Sequence, residues 1–236
     1  MHVEVVHTLA HEYGLVFRGG FLANLEDDVP SQIDGTASKT LLLFGQAGDS
    51  LWSVFSQSTE LADNQPHPMD RWSERVGNAI AQGLHGRLLL PFGGPPHYPF
   101  IRWASRAEEV QPSKLGMLIH PIYGLWHAYR FAIAVAEPID GLAEAPTVVG
   151  ICSQCQDTPC LNTCPVGAFT DGYYDVKACI DYLQENPEAP CHRQGCLARD
   201  ACPEGAHSHY DIEQKQFHMT QFTQALYKRL GDSENS

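Results

Sequence analysis

The sequence predicts an α+β protein: an N-terminal α/β region, then a cysteine-rich region, then a C-terminal helix. Three observations predict it. Short continuous apolar runs, LLLF at 41–44 and GRLLLPF at 86–92, alternate with stretches of helical periodicity, as buried strands between helices do. All eight cysteines lie between 152 and 202, and none occurs in the first 151 residues. Near the end, Met219, Phe222, Leu226 and Leu230 recur at helical spacing, which predicts a helix packed back on the body.

Taken in order, HVEVVHTLAHEYG (2–14) reads as a helix stopping near Gly14, and LVFRGGFLA (15–23) as a short strand broken by Gly19 and Gly20. SQIDGTASK is a polar loop. KTLLLFGQAGDSLWSVF (39–55) reads strand, glycine turn, helix, with Asp49 or Ser50 as cap. The GQAG turn lacks the third glycine of a dinucleotide fingerprint and the Gly-Lys-Ser/Thr of a nucleotide loop, so a plain turn is the better reading. HPMDRWSERVGNAIAQGL (67–84) continues as a helix capped by Asp70, with Trp72, Val76, Ala79, Ile80 and Leu84 on one face. GGPPHYP (93–99) is a loop by composition, and the following Phe100, Ile101 and Trp103 either pack or form the lip of a pocket. LGMLIH (115–120) reads as a strand and PIYG as a turn. In WHAYRFAIAVAE, Tyr129, Phe131, Ile133 and Val135 alternate with Ala128, Arg130, Ala132 and Ala134, a strand with one bulky and one mostly small face; the small face lets a helix or a flat ligand come close, and helix packing is the plainer cause. PIDGLAEAP (138–146) is the natural boundary, giving domains 1–146 and 147–236.

Composition limits the function. No run approaches the roughly 20 apolar residues of a membrane span. The N-terminus carries Glu4 and Glu12 and lacks a basic segment followed by an apolar one, so a cytoplasmic protein without membrane association is expected. Fifteen basic residues face 28 acidic ones, a net charge of −13. A nucleic-acid partner, which needs clustered Lys and Arg, is not expected. A redox partner protein or a small-molecule acceptor is.

The cysteines form an imperfect repeat. The first half is Cys152-x2-Cys155-x4-Cys160-x3-Cys164-Pro-Val-Gly-Ala; the second contains Cys179, Cys191, Cys196 and Cys202-Pro-Glu-Gly-Ala. Dense cysteines in a reducing compartment point to metal or catalysis more than to disulfides. Two structural zinc sites would also use all eight, but usually as paired CxxC knuckles, and CxxC occurs once here. Four plus four is the ligand count of two [4Fe–4S] clusters, for which thiolate is the matched soft donor. In two-cluster ferredoxins three close cysteines hold one cluster and the cysteine before proline holds the other. Applied here, one cluster takes Cys152, Cys155, Cys160 and Cys202; the second takes Cys179, Cys191, Cys196 and Cys164. Gly167 and Gly205 are expected to let backbone approach closely. His192 is a substitute ligand should Cys191 not serve, and His207 and His209 shield a cluster.

The segments CSQCQDTPCLNTCPVGAF and VKACIDYLQ resemble the ferredoxin-like module of epoxyqueuosine reductases and of corrinoid-dependent reductive dehalogenases, and LGMLIHPIYGLWHAYRFAIAV (115–135) is similar to the strand–turn–strand before the clusters in the dehalogenases. The resemblance covers about residues 115–205. It implies a nitroreductase-like N-terminal α/β domain facing a ferredoxin-like two-cluster domain. It also implies a reductase as the alternative to a pure electron carrier, with cobalamin or a flavin in the N-terminal domain. His120, Tyr123 and Arg130, with His127 near them, are the candidate cofactor-binding residues around the PIYG turn. The chain departs from the pattern in its short region before the first cysteine and in lacking C-terminal helical repeats. No position matches the catalytic acid of one family or the catalytic tyrosine of the other. The chain also resembles small bacterial proteins described only as ferredoxin-like.

Overall fold

The computed structural model describes residues 1–144, 150–170 and 172–234, with side chains described through 227. The described residues mix helix (41%) and strand (18%). Elements run α1 (Val3–His11), β1 (Val16–Leu22), β2 (Thr40–Ala47), α2 (Trp52–Phe55), α3 (Thr59–Ala62), α4 (Pro68–Gly83), β3 (Arg87–Leu89), α5 (Phe100–Ala107), β4 (Gln111–Pro112), β5 (Leu118–Ile119) and β6 (His127–Val135). Then follow α6 (Ile151–Gln154), α7 (Pro159–Asn162), β7 (Phe169–Thr170), β8 (Tyr173–Tyr174), α8 (Val176–Glu185), α9 (Pro190–Gln194), α10 (Leu197–Asp200) and α11 (Ile212–Glu234). Two compact units emerge: Met1–Val110 with His127–Val148, and Gln111–Trp126 with Val149–Ser236. The boundary expected at 146/147 falls outside the described residues, and the chain also crosses between units at 110/111 and 126/127.

The first unit is built on an antiparallel sheet of order β1-β2-β6-β3. Leu41, Leu43 and Phe44 of β2 face Ala134, Ala132 and Phe131 of β6. At Leu41 and Leu43 large residues thus meet small ones, whereas Leu42 faces Ile133 and the rings of Phe44 and Phe131 stack at 5.2 Å. The helix α4 comes down on the bulky face of β6, not on its alanines. The approach is made by the helix: a Cβ on Gly77 would sit 2.6 Å from Leu88 and 3.2 Å from Phe131.

Several local expectations are corrected. Gly19 and Gly20 do not break β1; they lie in it where its register against β2 shifts, and both lie hard against neighbouring backbone. Gly45 and Gln46 belong to β2, and a Cβ on Gly45 would stand 2.0 Å from the Ala128 carbonyl oxygen, so that glycine serves sheet closeness at a bulge. The helix after the turn is only four residues, and Ser50 Oγ accepts from Ala47 N across the turn without capping it. His67 is the N-cap of α4, because Pro68 takes the first helical position. Asp70 instead sits in the first turn, where burial raises its carboxyl pKa against the opposing charges of Arg130 and His67. The buried face of α4 is Trp72, Ser73, Val76, Gly77, Ile80 and Ala81; Ala79 is exposed. Phe100 and Trp103 pack inward on α5, while Ile101 is exposed.

Apart from α8 and α11 the second unit has short elements, and it holds two apolar clusters. One gathers Leu115, Ile119, Leu125, Phe169 and Ala198 around Cys160 and Cys202. The other gathers Ile180, Leu183 and Ala189 around Cys191. Met219, Phe222 and Leu226 of α11 pack on this second cluster, so the C-terminal helix covers the cysteine-rich unit. Among the described residues no helix is long and apolar enough to cross a membrane.

Candidate metal centre

Most of the cysteines are placed by helices of four or five residues. Cys152 lies in α6, Cys160 in α7, Cys179 in α8 and Cys191 in α9, while Cys155, Cys164, Cys196 and Cys202 occupy turns at or just beyond helix ends. None forms a disulfide. The two Cys-Pro turns are alike in sequence and different in setting. Gly205 has φ of +68°, and a Cβ there would meet the Tyr123 carbonyl carbon at 2.3 Å. Reciprocally, a Cβ on Gly124 (φ +55°) would stand 1.9 Å from the Glu204 carbonyl oxygen. The PIYG turn and the second Cys-Pro turn therefore interlock, glycine to glycine. Gly167 also has a positive φ, +59°, but a Cβ there would meet nothing within 4 Å. The expected close approach holds for Gly205 and fails for Gly167, which is needed only for its backbone angle.

The thiols sort into two sets. The Cys160 thiol is pushed up by burial and then by Cys152 and Cys155. Cys202 is pushed up to about 11 by burial, with Cys160 and Cys152 adding to it and the Glu204 N–H opposing. Cys179, Cys191 and Cys196 are likewise raised by burial, and each is raised further by Cys164. By these influences cysteines 152, 155, 160 and 202 form one set and 164, 179, 191 and 196 the other, while Cys164 and Cys196 also pack against the apolar cluster around Cys160 and Cys202. Each Cys-Pro cysteine lies with the other half of the repeat.

Burial disfavours the anionic form of these sulfurs, and backbone N–H groups offset part of that. Ala168 N donates to Cys164 Sγ at 3.4 Å. The backbone N–H groups of Leu161, Leu197 and Glu204 oppose the burial at Cys160, Cys191 and Cys202, and those of Ala198 and Arg199 oppose it at Cys196. Such donors stabilise negative charge on sulfur and tune the potential of an iron–sulfur group. Among the described residues no three His, Cys, Asp or Glu side chains converge closely enough to hold a single metal ion. A four-iron cube, which takes one thiolate at each of four irons, spreads its ligands wider than one tetrahedral zinc does. The residues fit the cluster. The first quartet reaches the surface: Cys155 lines a concavity with Gln154, Asp157, Pro159, Pro203 and Glu204.

The remaining candidates are distributed differently. His120 is buried, its Nδ1 accepts from Ile122 N at 3.0 Å and Tyr123 N at 3.3 Å, and its ring stacks on Tyr123 at 4.5 Å. Those two residues brace the PIYG turn in the second unit. Arg130 lies on β6 in the first unit, facing Asp70. His192 Nε2 is 3.0 Å from the Leu183 carbonyl oxygen, while its neighbour Cys191 keeps its place in the second set. His209 packs on Trp126 at 4.3 Å and lies 3.5 Å from Asp200, and His207 is exposed.

Two groups escaped the sequence reading. Tyr174 stacks on Phe169 at 4.5 Å immediately before the Asp175 cap of α8, the helix that carries Cys179; that cap was a readable signal. In the first unit Arg18, 1% exposed, donates to the Gln46 carbonyl oxygen at 2.9 Å, pairs with Glu108 at 2.7 Å and meets His127 Nδ1 at 3.2 Å, and Tyr129 also donates to Glu108. Burial raises the Glu108 pKa and Arg18 opposes it. These residues are remote in sequence and carry no motif.

No family model matches the chain, and no curated protein does. Three solved structures of epoxyqueuosine reductase are similar to it. A selenomethionine-labelled one is 16% identical over 76% of this chain and 52% of its own, with a TM-score of 0.46. One with an epoxyqueuosine-modified tRNA-Tyr stem loop is 15% identical over 91% and 67%, at 0.47. One from Bacillus subtilis, with its catalytic loop swung out of the active site, is 14% identical over 91% and 69%, at 0.47. The chain spans about half the length of the first. At these TM-scores the likeness alone does not establish a common fold.

Proposed function

We propose that the chain is an iron–sulfur electron-transfer protein carrying two [4Fe–4S] clusters. One is held by Cys152, Cys155, Cys160 and Cys202, the other by Cys164, Cys179, Cys191 and Cys196. The observation that carries the proposal is the sorting of eight thiols into those two sets, with the Cys-Pro cysteines exchanged between halves. A repeat of structural zinc knuckles has no need of that exchange; a two-cluster electron carrier is built by it. When bound, each cluster supplies one-electron redox chemistry. The chain supplies thiolates, backbone N–H donors, and apolar packing that buries Cys160, Cys191 and Cys202. Cys155 beside a surface concavity supports the first cluster as the one nearer a redox partner. In this reading residues 1–146 form an α/β domain for partner or acceptor, residues 147–236 a ferredoxin-like domain, and the setting is cytoplasmic. With a net charge of −13, nucleic acid has no part in the proposal, although one similar structure holds a tRNA stem loop.

A count of Fe, Zn, Co and acid-labile sulfide per chain on anaerobically purified protein tests it. About eight Fe and eight sulfides are expected. Zinc without iron would sink the proposal, and cobalt beside the iron would turn it toward a corrinoid reductase.

A further inference from the structure

We propose that the concavity beside Cys155 is the docking face for a one-electron redox protein with a basic surface, and that Asp157 and Glu204 are the carboxylates that receive it. This inference rests on the two-cluster reading and names the chemistry of the partner.

The concavity lies within the second unit. Cys155, Asp157 and Pro159 line it from the first half of the cysteine repeat, and Pro203 and Glu204 line it from the second. Two glutamines complete the lining, which holds no Lys, Arg or His. The neighbouring chain is equally free of cations: residues 131–176 and 200–214 contain none of the 15 Lys and Arg residues. Among the described residues neither Asp157 nor Glu204 is in an ion pair, so their charge is open to a partner. On a chain of net charge −13, two carboxylates alone mark only a solvated face. A half-buried ligand thiol in the same lining is what gives these two a task.

The face is held in shape before anything binds. Asn162 Nδ2 donates to the Asp157 carbonyl oxygen at 3.1 Å and to that of Thr158 at 3.4 Å, and Thr163 Oγ1 donates to the Pro159 carbonyl oxygen at 2.7 Å. Opposite, the interlocked glycines pin Glu204, whose carbonyl oxygen leaves no room for a Cβ on Gly124. A preformed face gives up little conformational freedom on docking.

Electron transfer falls steeply with distance, so a partner gains most by meeting the cluster where a ligand sulfur lines the surface. Opposite charges steer and orient that encounter, raising the association rate more than the affinity. A nucleic acid or an anionic acceptor would be repelled by the same carboxylates.

The probe is ferric cytochrome c, a basic protein, with ferricyanide, a small anion, as the reference of opposite charge. In each reaction the reduced cluster gives up one electron and one Fe(III) of the acceptor becomes Fe(II); no bond or proton moves. Reduced protein with its iron counted is mixed anaerobically with either acceptor. Asp157→Asn with Glu204→Gln keeps the backbone of both turns and removes two charges. Glu12→Gln with Glu26→Gln removes the same charge from exposed positions of the first unit. A carboxylate about 10 Å from a local charge of about +3 changes the encounter rate about threefold at roughly 30 mM ionic strength. The first pair should therefore slow cytochrome c reduction about tenfold and speed that of ferricyanide, and the effect should fade in about 0.5 M salt. The remote pair should change either rate less than about twofold. If the first pair loses iron, Asp157→Asn alone carries the test, with about threefold slowing expected. Equal effects from both pairs, no slowing, slowing of both acceptors alike, or slowing that persists in high salt would overturn the inference. Wild-type protein without iron would instead overturn the two-cluster reading, and this inference with it.

Discussion

The interlocked glycines offer a controlled perturbation, because the two Cys-Pro-x-Gly-Ala turns differ in what surrounds the glycine. Gly167 and Gly205 both have left-handed φ, +59° and +68°. An L residue pays about 1–2 kcal/mol for that conformation. Gly167→Ala carries this strain alone, since its Cβ would meet nothing within 4 Å. Gly205→Ala adds a collision with the Tyr123 carbonyl carbon at 2.3 Å and Gly124 N at 2.4 Å. Those are backbone atoms, and the turn is closed by reciprocal His120–Gly124 hydrogen bonds of 2.9 Å, so no rotamer change can clear the clash. Forced displacement of packed structure adds about 1–3 kcal/mol. The expected cost is therefore about 1–2 kcal/mol for Gly167→Ala and about 2–5 kcal/mol for Gly205→Ala. At about 2–4 °C per kcal/mol for a chain of this size, melting should fall by about 2–8 °C and about 4–20 °C. The assay is an anaerobic thermal melt of both variants beside wild type, with iron counted per chain. Equal falls, or a larger one for Gly167→Ala, would refute the interlocking of the two turns.

Further predictions concern charge and ligation. Glu108→Gln leaves the buried Arg18 guanidinium without its counter-charge and should cost about 3–5 kcal/mol, whereas the paired change with Arg18→Met should recover part of it; urea melts of the single and double variants decide this. Arg75 pairs with Glu60 and holds its carboxyl below the usual carboxylate range. A depressed folded pKa means this stabilisation is present above about pH 4.5 and is lost as pH falls through the folded value. Acid unfolding of Glu60→Gln should thus show a shallower dependence on pH below 4.5 than wild type; an identical acid limb would contradict the pairing. Cys164→Ser should disturb the cluster shared with Cys179, Cys191 and Cys196, and Cys202→Ser the other one, each leaving about four Fe on the chain. The midpoint that remains should differ between the two variants, and the same one surviving in both would contradict the exchange of ligands.

Long periodic elements were legible in the sequence. The strands β2 and β6 and the helices α1, α4 and α11 appear where the sequence expects them; Met219, Phe222 and Leu226 of α11 pack, and the Leu230 side chain lies outside the described residues. Local chemistry was less legible. Asp70 looks like a cap by residue type, but Pro68 fixes the helix start earlier and His67 takes the role. Gly45 looks like a turn residue, yet it is required where β2 presses on β6 at a bulge. The grouping of 111–126 with the cysteine-rich unit was hidden because its strands are two residues long and too short to show a period. At the candidate centre, the Cys-Pro repeat announced the quartets because cysteine type and spacing encode them directly. Tyr174 and the Arg18–Glu108 pair were missed because a ring or a guanidinium acquires its role only from what the fold brings beside it.

The central claim is that two four-iron clusters sit on eight thiols of one chain. Native mass spectrometry of anaerobically prepared protein tests it most directly. The account predicts a mass excess over the bare chain equal to two four-iron, four-sulfide clusters, lost in two equal steps on oxidation. An excess of zinc atoms, or a bare chain from protein kept anaerobic throughout, would contradict it.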